Sequence, residues 1–179
     1  MRTLTFMRHA KSDWPSPEPA EGPLMDKDRP LAPRGLRDAP RMAAWMASVG
    51  LQPDLILASS AVRTRQTLSI VASTLNCSTV RTEFRDDFYL AEAEDMIEVV
   101  RACPGAARHI LIIGHDPGLH DAAFILIGAG PPRARRNLAM KFPTAAVVVI
   151  DFEIDQWTGL VPGSGTLRHF MAPKQLPNP

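Results

Sequence analysis

Apolar residues along this chain gather into short, nearly unbroken runs, separated by stretches in which they return every third or fourth position. The runs Leu55–Ala58 and Ile110–Ile113 are apolar at every position, and Leu4–Met7 at every position but Thr5. That pattern fits strands buried on both faces, the habit of parallel sheets. Val80–Phe84 reads as a weaker strand and Ala145–Phe152 as a continuous one. Thr158–Val161 is expected to fold back on the latter as an antiparallel hairpin around Asp155-Gln156.

Between the strands the helical period takes over. From Pro33 to Ser48, Leu36, Ala39, Met42, Ala43 and Met46 recur at helical spacing and are expected in the core, with Gly50 as the stop. Ser59 or Ser60 is a natural N-cap for a helix that continues to about Leu75. Further helices are expected over about Glu92–Ala102, closed by Pro104-Gly105, and over about Leu119–Ile127, ended by Gly128 and Gly130. Pro131–Arg136 reads as a solvated basic turn, and the tail from Ala172 as irregular. The proline-rich loop over 13–25 lacks apolar periodicity and suits either a lid beside a site or a surface excursion. Strands alternating with helices predict an α/β protein with a largely parallel sheet covered on both faces.

Length and composition narrow the picture. A chain of 179 residues fits one domain, 1–179, with 45% apolar and 22% charged residues, ordinary for a globular protein. A net charge of +1 argues against a nucleic-acid or membrane-surface role. Cys77 and Cys103 supply neither a disulfide framework nor a metal-ligand spacing. Met1-Arg2-Thr3 leads straight into the first strand, without the pattern of a secretory leader, so cytoplasmic residence is the expectation.

The chemistry lies where the apolar runs end. Leu4–Met7 runs into Arg8-His9, Leu55–Ala58 into Ser59-Ser60-Ala61-Val62-Arg63, and Ile110–Ile113 into Gly114-His115. Carboxyl ends of strands in such sheets are where ligands bind. A guanidinium can fork two phosphate oxygens, and an imidazole can attack phosphorus. Arg63 falls in the first turn of its helix, whose amino end also attracts phosphate. Arg65 points to another face and is expected to be solvated or ion-paired. A zinc reading of His9 and His115 lacks a third ligand and sets arginines beside the cation.

The motifs Arg8-His9-Ala10-Lys11-Ser12, Asp28-Arg29-Pro30-Leu31, Ser59–Thr67, Gly114-His115-Asp116-Pro117 and Pro143-Thr144-Ala145-Ala146 span most of the chain. Together they resemble the histidine phosphatase (phosphoglycerate mutase-like) superfamily, most of all its small SixA-type phosphohistidine phosphatase branch. The resemblance implies a three-layer α/β/α sandwich with one or more antiparallel edge strands. It also implies His9 as nucleophile, with Arg8, Arg63 and His115 clamping the phosphoryl group. Ser60, at the amino end of its helix, is expected near that group, and no metal or cofactor is required because the protein supplies the positive charge. Ala10 stands where most of the superfamily has Gly, as in the small branch.

Mutase-like members carry a Glu after a Leu beyond the third strand; here that region reads Phe88-Tyr89-Leu90-Ala91. Asp86, Asp87, Glu92 and Glu94 are out of step with it, and Glu92 comes nearest as a general acid. The expected substrate is a phosphorylated one, a phosphohistidine protein or a small phosphorylated compound. The competing readings are a phosphoglycerate mutase-like transferase or phosphomonoesterase, which needs a positioned acid, and a phosphate-binding module without turnover.

Overall fold

The computed structural model describes residues 1–14 and 24–177; most of the proline-rich loop, residues 15–23, lies outside the described residues, and with it the expectation of a lid. One seven-stranded sheet runs through the molecule in the order β3-β2-β4-β1-β6-β7-β5. Its strands are β1 (Arg2–Arg8), β2 (Leu55–Ser59), β3 (Arg81–Arg85), β4 (His109–Gly114), β5 (Ile127–Ala129), β6 (Val147–Phe152) and β7 (Gly165–Met171). The helices are α1 (Pro33–Ser48), α2 (Val62–Thr74), α3 (Ala93–Arg101), α4 (Gly118–Leu126) and α5 (Pro132–Met140).

The apolar runs do what double burial requires. In β1, β2 and β4, Leu4, Phe6, Leu55, Leu57, Ile110 and Ile112 face a core shared with α3, α4 and Leu138 of α5. Met7, Ile56, Ala58, Leu111 and Ile113 face the opposite core, under α1 and α2. Successive side chains point to opposite faces, so a strand with helices on both sides must be apolar at nearly every position. The result is the three-layer α/β/α architecture.

β1, β2, β3 and β4 pair in parallel. β6 runs antiparallel to both β1 and β7, while β5 pairs in parallel with β7. The antiparallel element is therefore an interior strand of the sheet rather than an edge. Among the described residues no helix is long and apolar enough to cross a membrane.

Four local expectations are corrected. Leu36 is 54% exposed. The buried stripe of α1 runs through Gly35, Asp38, Ala39, Met42, Ala43 and Met46. At ~100° per residue Leu36 sits about a quarter turn from its centre, in the first turn. Pro131–Arg136 is no simple turn, because α5 starts at Pro132 and buries only Leu138. One buried position leaves almost no periodic signal.

Thr158–Val161 forms no hairpin strand. Trp157–Gly159 is a 3-10 turn, and the partner of β6 is β7. The β6–β7 register shifts at Val149/Ile150, which breaks the alternation that would announce β7. The tail is tied down by the 3-10 turn Pro173–Gln175, by Leu176 against the α1 core, and by a 2.8 Å bond from Arg41 to the Pro177 carbonyl.

Candidate active site

Parallel pairing brings the carboxyl ends of β1, β2 and β4 to one edge, with Arg8 opposite Gly114. His9 continues this pairing by donating its backbone N–H to the Gly114 carbonyl at 3.0 Å. The Ala10 N–H donates to Thr67 Oγ1 of α2 at 3.0 Å, and that hydroxyl donates to the Arg63 carbonyl at 2.7 Å. Ala145 holds the other side: its N–H is shared by the Arg8 and His9 carbonyls, both at 3.1 Å. To do so it adopts φ +62°, a left-handed conformation uncommon for a residue with a Cβ. The strand tip that carries the reactive pair is thus fixed from three directions.

A cavity of about 510 Å³ opens over this tip, and Arg8, His9, Arg63 and His115 all line it. The rings of His9 and His115 lie 5.1 Å apart. Arg63 bridges them, with Nε 3.3 Å from His9 Nε2 and Nη2 3.3 Å from His115 Nδ1. A tetrahedral anion a few ångströms across can reach all these groups at once.

Hydrogen bonding sets the tautomers. His9 Nδ1 lies 2.8 Å from the Ala10 carbonyl oxygen, which can only accept, so Nδ1 carries the proton. Nε2 keeps its lone pair and faces the cavity. Burial, above all, holds the His9 pKa down to about 3, with His115, Arg63 and Arg8 acting in the same sense and the Ala10 carbonyl against it. His115 Nε2 lies 2.8 Å from Ser59 Oγ, which also accepts from the Ala61 N–H at 3.3 Å. Burial first, then Arg63 and Arg8, lower the His115 pKa to about 4, against the pull of Asp26. Both imidazoles are therefore neutral before an anion arrives.

Other expected residues lie elsewhere. Ser60 does not line the cavity; its hydroxyl donates to Asp86. Ser59, one residue earlier and fully buried, reaches His115 instead. Neither serine caps α2 through its side chain, and Ala61 is the N-cap residue. Arg65 bonds the Ser60 carbonyl and covers the Phe84 ring, away from the site as expected. Glu92 is exposed and absent from the cavity wall. Asp86 pairs with Lys27 and Asp87 with Arg85.

Among the described residues, the carboxylates that line the cavity are Asp26 and Asp116. Asp26 accepts from Tyr89 Oη at 2.5 Å, Arg29 Nη1 at 2.9 Å and Arg63 Nη2 at 3.1 Å. Those bonds, Tyr89's first, hold its pKa down to about 2. Asp116 Oδ2 is 3.5 Å from Arg8 Nη1, and its Oδ1 is buried without a hydrogen-bond partner among the described residues. Neither Asp26 nor the role of Tyr89 carried a signal in the sequence, since neither belongs to a periodic run. Among the described residues no group of three or more His, Cys, Asp or Glu is disposed to hold a metal ion.

The family model of the histidine phosphatase superfamily, branch 1, matches residues 4–109. The chain belongs to that superfamily. An uncharacterized protein of Mycobacterium leprae is 30% identical over 94% of this chain and 100% of its own length. An uncharacterized protein of Mycobacterium tuberculosis is also 30% identical, again over 94% of this chain and all of its own. Among solved structures, a protein assigned as the phosphohistidine phosphatase SixA of Agrobacterium tumefaciens superposes with a TM-score of 0.77 at 27% identity, covering 96% of this chain and 97% of that one. A SixA protein histidine phosphatase solved with tungstate shares the fold, with a TM-score of 0.75 at 20% identity over 97% of this chain and 98% of its own. Within the superfamily the chain sides with the SixA type, and it is a phosphatase.

Proposed function

We propose that the chain is a phosphohistidine phosphatase that works through a phosphohistidine intermediate on His9. The observation that carries this reading is the His9 tautomer: Nδ1–H is tied to the Ala10 carbonyl and Nε2 faces Arg63 in the cavity. In the first step Nε2 bonds to phosphorus in line with the leaving atom, whose bond to phosphorus breaks. Arg8 and Arg63 offset charge on the equatorial oxygens. His115 joins them when a proton settles on Nδ1, the nitrogen turned to Arg63 and the cavity. In the second step water attacks the phosphorus, releasing phosphate and restoring neutral His9.

The leaving group points to a phosphoramidate. A departing imidazole leaves neutral when its other ring nitrogen carries the proton, so it needs little help. An alkoxide needs a positioned acid, worth roughly 10²- to 10⁴-fold. Asp26 is held ionised by its three donors, and Glu92 faces solvent. The likeness to the SixA proteins supports the same substrate class. One observation favours a phosphomonoesterase instead: Asp116 lines the cavity with an unpartnered buried oxygen.

The deciding experiment compares turnover of a phosphohistidine protein with that of a panel of small phosphate esters, with rapid quench into alkaline detergent. The reading expects preference for the phosphohistidine protein and an acid-labile, base-stable phosphoenzyme. Turnover of alkyl esters alone would replace it with the esterase.

A further inference from the structure

Beside the catalytic cavity lies a second one of about 420 Å³, lined by Arg8, Lys11, Arg34, Lys141 and Lys174 among others, with no carboxylate in its wall among the described residues. Arg8, Lys11 and Thr144 line both cavities, so the two form adjoining compartments that share a wall. These cations come from separate parts of the chain: the tip of β1, the first turn of α1, the segment before β6 and the 3-10 turn after β7. No run of basic sequence accounts for the cluster. It is assembled by the fold, in a chain whose net charge is only +1.

Local ion pairs leave much of this charge unmatched. Arg34 reaches Asp38 through Nε at 3.2 Å. Among the described residues no carboxylate lies within ion-pair distance of Lys11, Lys141 or Lys174. Arg8 stands on the boundary. Its Nη1 donates to the Phe142 carbonyl at 2.8 Å and lies 3.5 Å from Asp116 Oδ2, while its Nε is buried with no hydrogen-bond partner among the described residues. Like charges gathered in a concave wall repel one another and focus a positive potential, which an anion relieves.

We propose that the second cavity is an anion subsite, which holds a further phosphate or carboxylate group of the same substrate while the scissile phosphoryl group lies against His9. It rests on the phosphatase reading of the adjoining cavity. The volume admits a phosphate group together with part of its carrier. The substrate class is therefore polyanionic: a phosphohistidine flanked by acidic side chains, or a small molecule with two phosphate groups.

The test uses the full chain and two matched pairs of substrates. One pair is a phosphohistidine peptide flanked by glutamates and the same peptide flanked by glutamines. The other is a sugar bisphosphate and the corresponding monophosphate. For each pair the ratio of kcat/KM, polyanion over its partner, is measured in wild type and in the doubly reversed variant K141E/K174E, with circular dichroism to check folding. Wild type should prefer the polyanion in at least one pair, and the variant should lower that ratio by about tenfold or more. K141Q/K174Q should lower it less. Discrimination in the peptide pair assigns the second group to a protein substrate; discrimination in the sugar pair assigns it to a small molecule. A ratio near one for both pairs, or one that the reversals leave unmoved, overturns the subsite. Wild type inert on both peptides but selective for the bisphosphate would overturn the phosphohistidine reading and keep the subsite.

Discussion

Arg63 donates from Nε to Nε2 of His9 across 3.3 Å, so the guanidinium rests against the lone pair that must reach phosphorus. The contact orients the ring without protonating it, and a phosphoryl group entering between them inherits both partners. Arg63 is also held by Asp26, through the backbone carbonyl at 2.6 Å and the carboxylate at 3.1 Å. His9→Ala should therefore abolish turnover and the acid-labile phosphoenzyme, while inorganic phosphate still protects the variant against thermal unfolding. Arg63→Ala should leave the phosphoenzyme detectable and slow its formation by about 10²- to 10³-fold, the usual scale for losing one charge-stabilising donor. Undiminished activity in His9→Ala would remove His9 from the mechanism.

His115 gives a second expectation, because it must gain a proton to act as a donor at Nδ1. Its pKa is about 4 in the free protein, pressed down by burial and by Arg63 and Arg8. A bound anion offsets the charges of Arg63 and Arg8, and its own charge favours the imidazolium despite the burial. Phosphate binding near neutral pH should thus take up protons, seen in calorimetry as a binding enthalpy that changes with the ionisation enthalpy of the buffer. His115→Gln should abolish that dependence. Identical enthalpies in all buffers would mean that His115 stays neutral in the complex.

The same shifts govern stability against acid. His9 and His115 titrate near 6.5 in an unfolded chain but near 3 and 4 in the folded one. Between those limits the unfolded state binds more protons than the native state. Stability therefore rises with pH across this window and levels off above about 6.5. Urea midpoints should fall steadily from pH 6.5 to pH 4.5, and the fall should be shallower in His9→Gln/His115→Gln. A midpoint independent of pH in the wild type would contradict the burial of two neutral imidazoles.

Much of this site was legible in the chain, for a physical reason. Arg8, His9 and His115 each lie within two residues of the end of an apolar run, and Arg63 opens a helix, so local pattern alone carries them to one sheet edge. What local pattern cannot carry is a contact made by the fold. Asp26 becomes part of the site only because Arg29, Arg63 and Tyr89 converge on it from three segments. Ser59 and Ser60 are chemically alike in sequence, and only the turn geometry sends one to His115 and the other to Asp86. β7 and α5 went unseen because a register shift and a single buried leucine erase their periods.

The last expectation concerns the leaving group, and turns on Asp116. Its Oδ2 faces Arg8 at 3.5 Å, its Oδ1 is buried without a hydrogen-bond partner, and His120 Nδ1 lies 3.9 Å from that oxygen. The same ring is fixed on its far side, where Nε2 lies 2.7 Å from the Leu138 carbonyl. If the substrate is a phosphohistidine, no carboxyl proton is needed as the imidazole departs. Asp116→Asn should then cost less than about tenfold on phosphoramidates, well short of the loss of a positioned acid. Aryl phosphates, whose leaving groups are weakly basic, should react nearly as well, and alkyl phosphates poorly. Glu92→Gln should change none of these rates, since Glu92 faces solvent. An ester-cleaving enzyme predicts the opposite order. Asp116→Asn would then cost a hundredfold or more on alkyl phosphates and little on activated aryl ones, because only the basic alkoxide waits for the proton. Measuring rate against leaving-group basicity in wild type and Asp116→Asn separates the two, since a steep slope in wild type that the variant leaves unchanged excludes Asp116 as the acid.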